Sequence, residues 1–389
     1  MASISLSRIN YFLFCLALLS INFPIKIYPI VFVIASISFL IQSRPIQLRP
    51  WSLALLCYSI YAITIFIITG QFDDLRVINF YKIIVNFLFL FSSICWLRKI
   101  NDLKLLKWVD WSLHVTFALI LLQLLAYHQA SGFQFIAGGD TSNDGNSIYD
   151  LSRYFWGLDN KNLFGARIAT LGFPFILLGV IRNGKISIFR IGYILFLAFI
   201  SMSRTPILAL LVGILLLLWN IPKKYLKVAL VTIIIVSLPY ILNKALRINN
   251  ITDTDDGMGV RLVYWQSMFK NIDQVSIFGN GFQAANEFLP KYSPIYTGEP
   301  NIHNTFLNNY LDFGIFGLIF YVSFLFYFYK YCYRQFNDNI FWLISFSPLL
   351  TVMMLLYPGY DNDIVVYLIL IFMIGRSQIF DAKKLTYGV

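Results

Sequence analysis

The sequence predicts an all-α integral membrane protein. Of its 389 residues 58% are hydrophobic and only 13% are charged, and the apolar residues form long runs joined by short polar connections. No soluble domain of this length can bury so much apolar surface, because burial is limited by the ratio of surface to volume. Lipid must therefore act as the solvent for much of the chain.

About twelve apolar runs are candidates for membrane-spanning helices, since a span needs about 20 mostly apolar residues. No cleavage motif of small residues follows the first run, so we interpret it as an uncleaved span. The whole chain, 1–389, is then predicted to be a single polytopic membrane domain. The predicted spans are 9–25, 27–42, 51–70, 77–97, 108–128, 163–181, 186–202, 205–220, 226–243, 305–329, 339–357 and 364–377.

The distribution of basic residues predicts the orientation. Most of the lysines and arginines lie in connections that are cytoplasmic if the N-terminus is inside. The short connections on the other side contain only Lys26, Arg76 and Arg204. This asymmetry follows the positive-inside bias, so the net charge of +11 needs no nucleic-acid partner. Both termini are therefore predicted to be cytoplasmic.

Two long segments, 129–162 and 244–304, are predicted to be large periplasmic loops. Long loops in a compact protein are usually functional or disordered. The second loop has apolar residues at helical spacing, including Leu262, Trp265 and Phe269. We therefore expect an amphipathic helix from Val260 to Ile272 at the membrane surface.

Four ionisable residues fall inside predicted spans or at their outer ends: Lys82, Arg167, Arg204 and Asp312. A charge at the bilayer centre costs at least about 2.5–3.5 kcal/mol, so such residues are functional candidates. Snorkelling to the outer headgroups is the alternative for Lys82 and Arg167. Arg204 is better fixed in direction, because Pro206 favours a helix start immediately after it.

Arg261 and His303 are candidates in the second loop. Arg261 is expected at the N-terminus of the amphipathic helix, where free N–H groups bind anions, although an exposed loop arginine is the alternative. His303 has an ordinary pKa near 6.5, which suits a general base at neutral pH. Asn160 and Asp361 lie at outer span ends and are candidates for contact with a sugar.

The sequence gives little support for a metal site. Asp253 and Asp255 have the spacing of a carboxylate pair that could hold a hard cation. Their polar surroundings favour a solvated acidic run instead. The four cysteines show no C-x-x-C spacing, so neither zinc nor disulfides are expected. We predict no metal and no cofactor.

Four segments, in their order along the chain, carry a resemblance to a known family. They are Ser203-Arg204-Thr205 at a span start, then "RLVYWQSMFKNI" headed by Arg261, "IFGNGF", and "NIHNTFLNNYLDFGIFGLIFY" with His303. In this order, over roughly 150–330, they resemble the bacterial O-antigen polymerase and O-antigen ligase superfamily.

The resemblance implies a metal-independent glycosyltransferase of the inner membrane whose donor is an oligosaccharide on undecaprenyl diphosphate. It implies that Arg204 and Arg261 hold the diphosphate and that His303 activates the acceptor hydroxyl. We group Arg167 and Lys82 with the diphosphate ligands. The expected partners are lipid-linked donor and acceptor glycans, membrane lipids and a chain-length regulator protein. The candidate glycan contacts are Asn304, Asp312, Asn160 and Asp361.

Three alternatives remain open. We favour a polymerase over a ligase, because the terminal tail is short and the 129–162 loop is long and rich in Asn, Asp and Tyr. A lipid-linked oligosaccharide flippase predicts charges through the whole membrane depth and short loops on both sides. A structural membrane protein would not need His303 together with two placed arginines.

Overall fold

The computed structural model describes residues 6–23, 26–70, 72–100, 103–130, 132–133, 161–184, 186–220, 228, 232, 257–336 and 339–376. Across these ranges the regular structure is helical, with no strands, as predicted. A short 3-10 turn, Ile272–Gln274, follows the ninth helix. The α-helices are α1 (Leu6–Ser20), α2 (Tyr28–Gln42), α3 (Pro50–Thr69), α4 (Asp74–Leu97), α5 (Leu103–Ala130), α6 (Lys161–Asn183), α7 (Ile188–Ile200), α8 (Arg204–Trp219), α9 (Gly257–Lys270), α10 (Ala285–Tyr292), α11 (Thr305–Phe336), α12 (Asn339–Leu355) and α13 (Asn362–Arg376).

The helices confirm a membrane protein. Helices α3, α4, α5, α6 and α11 are long and apolar enough to cross a bilayer, and α1, α2, α7, α8 and α12 are shorter apolar helices. Each predicted span in the described ranges coincides with one of these or with α13. The predicted span 226–243 lies outside the described ranges, so the count of twelve stays a prediction.

Two helices form the centre of the bundle. Every side chain from Phe164 to Ile181 in α6, and from Asp363 to Gly375 in α13, is buried. Helix α6 packs closely on the N-terminus of α8. A Cβ at Gly165 would lie 2.6 Å from the Cβ of Ser203, the residue that precedes α8. Around this centre, α3 packs along α11 and α2 along α4.

Residues 257–304 form a cap over one end of the bundle. Tyr264, Met268 and Leu289 belong to its own small apolar core. Phe282 anchors the cap to the bundle, since its ring packs against Phe66, Phe80, Phe313 and Tyr360. Arg76 at the start of α4 also pairs with Glu287 of the cap, 3.0 Å away. We call this end of the bundle the cap end.

The predicted amphipathic helix exists with different bounds. We expected Val260–Ile272, whereas α9 runs from Gly257 to Lys270. Its buried face carries Tyr264 and Met268, while Phe269 is 60% exposed. The apolar stripe seen in the sequence therefore lies mostly off the cap core. Its contact with a membrane stays a prediction.

Helix α11 is broken at Gly314, a feature that the uninterrupted span 305–329 did not predict. Gly314 has φ 65° and ψ −166°, and a Cβ there would lie 2.0 Å from the carbonyl oxygen of Ile277. The cap segment satisfies the freed backbone groups: Ile315 N–H donates to Ile277 O, and Gly281 N–H to Asp312 O, each at 3.0 Å. Irregular backbone at such a depth is stable because protein replaces lipid around it.

Candidate functional site

The described candidate residues all lie at the cap end. His303 and Arg261 are in the cap itself. Arg204 begins α8 beside the first turns of α6, where Arg167 is located. Lys82 of α4 is close enough to Asp361, in the α12–α13 connection, for its charge to act on that carboxyl group. Candidate residue Asn160, like Asp253 and Asp255, lies outside the described ranges.

His303 is held in one conformation by its neighbours. Its backbone has a positive φ of 54°. Its N–H donates to Asn301 Oδ1 at 3.0 Å, and the N–H of Ile302 donates to Asn308 Oδ1 at 3.4 Å. Asn304 then caps α11, because its Oδ1 accepts the backbone N–H groups of Phe306 and Leu307 at 3.0 and 3.1 Å. A strained residue fixed from both sides is typical of a functional position.

The surroundings of His303 keep its ring neutral. The side chain is only 12% exposed. Burial, and next the positive charge of Arg261, lower its pKa from 6.5 to about 3, partly offset by a hydrogen bond to the carbonyl of Leu356. The imidazole can therefore accept a proton at neutral pH, although the nearby guanidinium weakens it as a base.

Glu299 lies beside the candidate residue His303 and was missed by the sequence analysis. Its Oε2 lies 3.9 Å from His303 Nε2, which is longer than a hydrogen bond but close enough for electrostatic attraction. A spacing of four residues would signal such a pair in a helix, but this segment is not helical, so the pattern alone gave no signal.

The α12–α13 connection is fixed beside His303 through its carbonyl groups. Side chains of α11, its cap Asn304 and α4 donate to carbonyl oxygens from Met354 to Tyr360. These contacts are Asn304 Nδ2 to Met354 O (3.1 Å), Thr305 Oγ1 to Tyr357 O (2.6 Å), Asn309 Nδ2 to Pro358 O (3.0 Å), Tyr321 OH to Gly359 O (2.6 Å) and Asn86 Nδ2 to Tyr360 O (2.7 Å). The amide of Asn304 is thus engaged in protein contacts.

Asp361 ends this connection. Burial, and next the charge of Asp363, raise the pKa of Asp361 to about 7, while the Gly359 N–H group and Lys82 act in the opposite direction. The carboxyl group therefore exchanges its proton near neutral pH. It is half-buried, so it retains a surface that a ligand can reach.

Two of the predicted ligands are engaged inside the protein. Arg167 forms a buried ion pair with Asp363 and also donates to the carbonyl of Ile21. Asp312 is fully buried; its two carboxylate oxygens accept from Ala284 N–H at 3.0 Å and Asn308 Nδ2 at 2.8 Å. This geometry makes them braces between elements, and their contact with diphosphate or glycan stays a prediction.

Arg204 and Arg261 are placed differently from each other. Arg204 is the first residue of α8 and is half-buried. The preceding Ser203 donates to Asn162 Oδ1 at 3.2 Å, which ties this helix start to α6. Arg261 is 7% exposed and is the fifth residue of α9, because the helix begins three residues before the predicted start. The sequence analysis expected Arg261 at the helix N-terminus, whereas it lies four residues after the first residue of α9.

Residues 189–322 match a family model, Wzy_C, described as O-antigen ligase. The match supports the O-antigen polymerase and ligase superfamily and confirms the resemblance predicted from the sequence. No curated protein matches the chain.

The O-antigen ligase match covers α7 to the middle of α11. Arg204, Arg261, Glu299 and His303 fall within it, as does the backbone break at Gly314. Lys82, Arg167 and Asp361 come from helices and connections outside it. The candidate residues at the cap end therefore come from the matched segment and from elements on both sides of it.

Proposed function

We propose that this protein is an O-antigen polymerase, which joins undecaprenyl-diphosphate-linked oligosaccharide repeats. The observation that carries the proposal is the coupling of His303 to Arg261, within the segment that matches the O-antigen ligase family. A neutral imidazole beside a buried guanidinium suits a reaction that removes a proton and releases an anion. The proposed location is the periplasmic face of the inner membrane, with both termini cytoplasmic.

In the proposed reaction the acceptor hydroxyl oxygen attacks the anomeric carbon of the donor sugar. The bond from that carbon to the phosphate oxygen breaks, and undecaprenyl diphosphate leaves with the electron pair. His303 takes the hydroxyl proton as the new glycosidic bond forms. Arg261 and Arg204 stabilise the negative charge that develops on the leaving diphosphate. No metal ion takes part in this scheme.

The electrostatics of the site couple donor binding to base strength. Without a donor, burial and, next, the charge of Arg261 hold the pKa of His303 low. A bound diphosphate compensates the guanidinium charge, so the pKa of His303 rises and the imidazole becomes a stronger base. Glu299 Oε2, 3.9 Å from Nε2, adds a negative charge that favours the protonated ring. The base is then stronger when the leaving group is in place than in the free enzyme.

The remaining predicted residues are assigned to supporting roles. The charge of Lys82 acts on the carboxyl group of Asp361. In the proposal Lys82 supplies a further cation for the diphosphate, and Asp361 accepts hydrogen bonds from sugar hydroxyls. Asn304 and Asp312 hold the segment that carries His303, and Arg167 braces α6 against α13. Asn160 remains a candidate glycan contact, and a chain-length regulator remains a candidate partner.

The second candidate function is that of an O-antigen ligase, which transfers the glycan to lipid A-core. The matched family is described as O-antigen ligase, and the match supports a ligase as much as it supports a polymerase. A deletion strain separates the two on a lipopolysaccharide gel. Core carrying a single repeat supports a polymerase, whereas bare core with polymer accumulating on the lipid carrier supports a ligase. Unchanged lipopolysaccharide and lipid carrier would contradict both.

A further inference from the structure

An apolar groove runs between α1 and α5, away from the candidate site. Its volume is about 380 Å³, which falls within the range of small-molecule sites. Small side chains make the floor, since Cys15 and Ser112 are buried and lie within hydrogen-bonding reach of each other. Large side chains make the rims, where Phe12 is 56% and Trp111 is 72% exposed.

The shape and lining of the groove suit a hydrocarbon chain. On α1 the lining residues extend from Phe12 to Leu19, a rise of roughly 10 Å at 1.5 Å per residue. The polar groups among the lining residues are the Ser112 hydroxyl, the Cys15 thiol and the indole N–H groups of Trp108 and Trp111. A sugar would find almost no hydrogen-bond partner here, whereas an acyl chain needs none.

Three cations stand at one mouth of the groove. Arg8, Lys104 and Lys107 precede Phe12, Trp108 and Trp111 by four residues. A spacing of four residues places the two side chains on the same helix face, one turn apart. All three basic side chains are exposed. Towards the starts of α1 and α5, the apolar groove therefore continues into a positively charged surface.

The starts of α1 and α5 lie at the same end of the bundle. The Trp96 ring, at the end of α4, lies 6.1 Å from the Tyr11 ring and 5.6 Å from the Phe14 ring, both in the first turns of α1. Helix α5 begins at Leu103, shortly after α4 ends at Leu97. This end is opposite the cap end, because the other end of α1 reaches Arg167 through the carbonyl of Ile21.

We propose that this groove binds an anionic phospholipid. One acyl chain lies over Cys15 and Ser112, and the phosphate is bound by Arg8, Lys104 and Lys107. Basic pockets between membrane helices attract anionic headgroups, and tryptophans such as Trp108 favour the level of the headgroups. The site is separate from the proposed glycan chemistry, since the donor diphosphate is assigned to the opposite end of the bundle.

The test is native mass spectrometry of the detergent-purified full chain with added lipid. Phosphatidylglycerol and phosphatidylcholine with identical acyl chains are compared. The wild type is expected to retain phosphatidylglycerol preferentially. Arg8→Glu and Lys107→Glu should each weaken its binding by about fivefold, on the order of 1 kcal/mol per cation. Arg44→Glu is the matched control, because Arg44 is exposed at the same end but lies after α2.

Ser112→Leu tests the groove without changing its charge. The larger side chain fills the floor, so retention of phosphatidylglycerol should fall while the mouth stays intact. If this variant does not fold, the charge variants still decide. Equal retention of phosphatidylcholine, or equal loss in Arg44→Glu, would refute a specific site. Displacement of phosphatidylglycerol by equimolar undecaprenyl diphosphate would instead assign the groove to the donor's isoprenyl chain.

Discussion

Arg167 Nε lies 2.9 Å from Asp363 Oδ1, and the two side chains are only 3% and 2% exposed. The pair joins the two central helices, α6 and α13. Tyr357 OH donates to the second carboxylate oxygen at 2.6 Å, so the carboxylate is also tied to the connection beside His303. A charge change here therefore acts on the packing of the bundle and on the α12–α13 connection beside His303.

We expect Asp363→Asn to destabilise the protein by about 3–5 kcal/mol, because it leaves the buried guanidinium without its counter-charge. Thermal and denaturant unfolding in detergent measure this loss. The control is Glu287→Gln, which breaks the pair with Arg76. Since Glu287 is 60% exposed, this change should cost only about 0–1 kcal/mol. Equal losses in the two variants would contradict a special role for the buried pair.

The second prediction concerns the broken helix. Gly314→Ala places a Cβ where the Ile277 carbonyl oxygen lies and forces a non-glycine residue into a positive φ. We expect a loss of at least about 1–3 kcal/mol and faster proteolysis of the cap. Gly192→Ala in α7 is the control, because a Cβ there meets nothing within 4 Å. Unchanged protease resistance in Gly314→Ala would show that the cap does not depend on this break.

Some of this architecture follows from local composition and some does not. Apolar runs predict helices because burial in lipid depends on each run by itself. The break at Gly314 depends on a partner segment more than thirty residues earlier, so the helix's own sequence does not show it. The Arg167–Asp363 pair joins residues far apart in the chain, and its partner cannot be identified without the fold. The sequence nevertheless identifies charged residues such as Arg167 and Asp312, because a charge within an apolar run is rare whatever its partner. It misses Glu299, which lies in a polar segment.

The third prediction tests the diphosphate ligands by charge alone. Arg261→Gln and Arg204→Gln should each lower kcat/KM for glycan transfer by about 10²–10³-fold, the effect of removing one preorganised donor to a developing anion. Membrane insertion and the unfolding temperature serve as readouts of folding. Arg76→Gln is the control, an arginine at the same end that pairs with Asp73 and Glu287. Near-normal long-chain glycan from either site variant would show that the substituted arginine is not a diphosphate ligand.

The fourth prediction is a pH dependence with a definite sign. His303 acts as a base only when neutral, so the rate falls as the pH drops through its pKa. In the free enzyme that pKa is about 3, held low by burial and Arg261, so the acid limb of kcat/KM lies far below pH 6.5. In the donor complex the diphosphate offsets Arg261, so the acid limb of kcat should lie at higher pH. Stability moves in the same direction: the unfolded histidine binds its proton more tightly, so the protein loses stability as the pH falls from about 6.5 towards 3.

Glu299→Gln tests whether Glu299 acts on His303 through its charge or only through packing. Removal of the carboxylate charge near Nε2 lowers the pKa of His303, so the kcat limb should move to lower pH while kcat itself falls. Glu287→Gln, elsewhere in the cap, should leave both limbs in place. A kcat limb that stays fixed in Glu299→Gln, or one that lies below the kcat/KM limb in the wild type, would be incompatible with a base whose strength depends on the bound diphosphate and on Glu299.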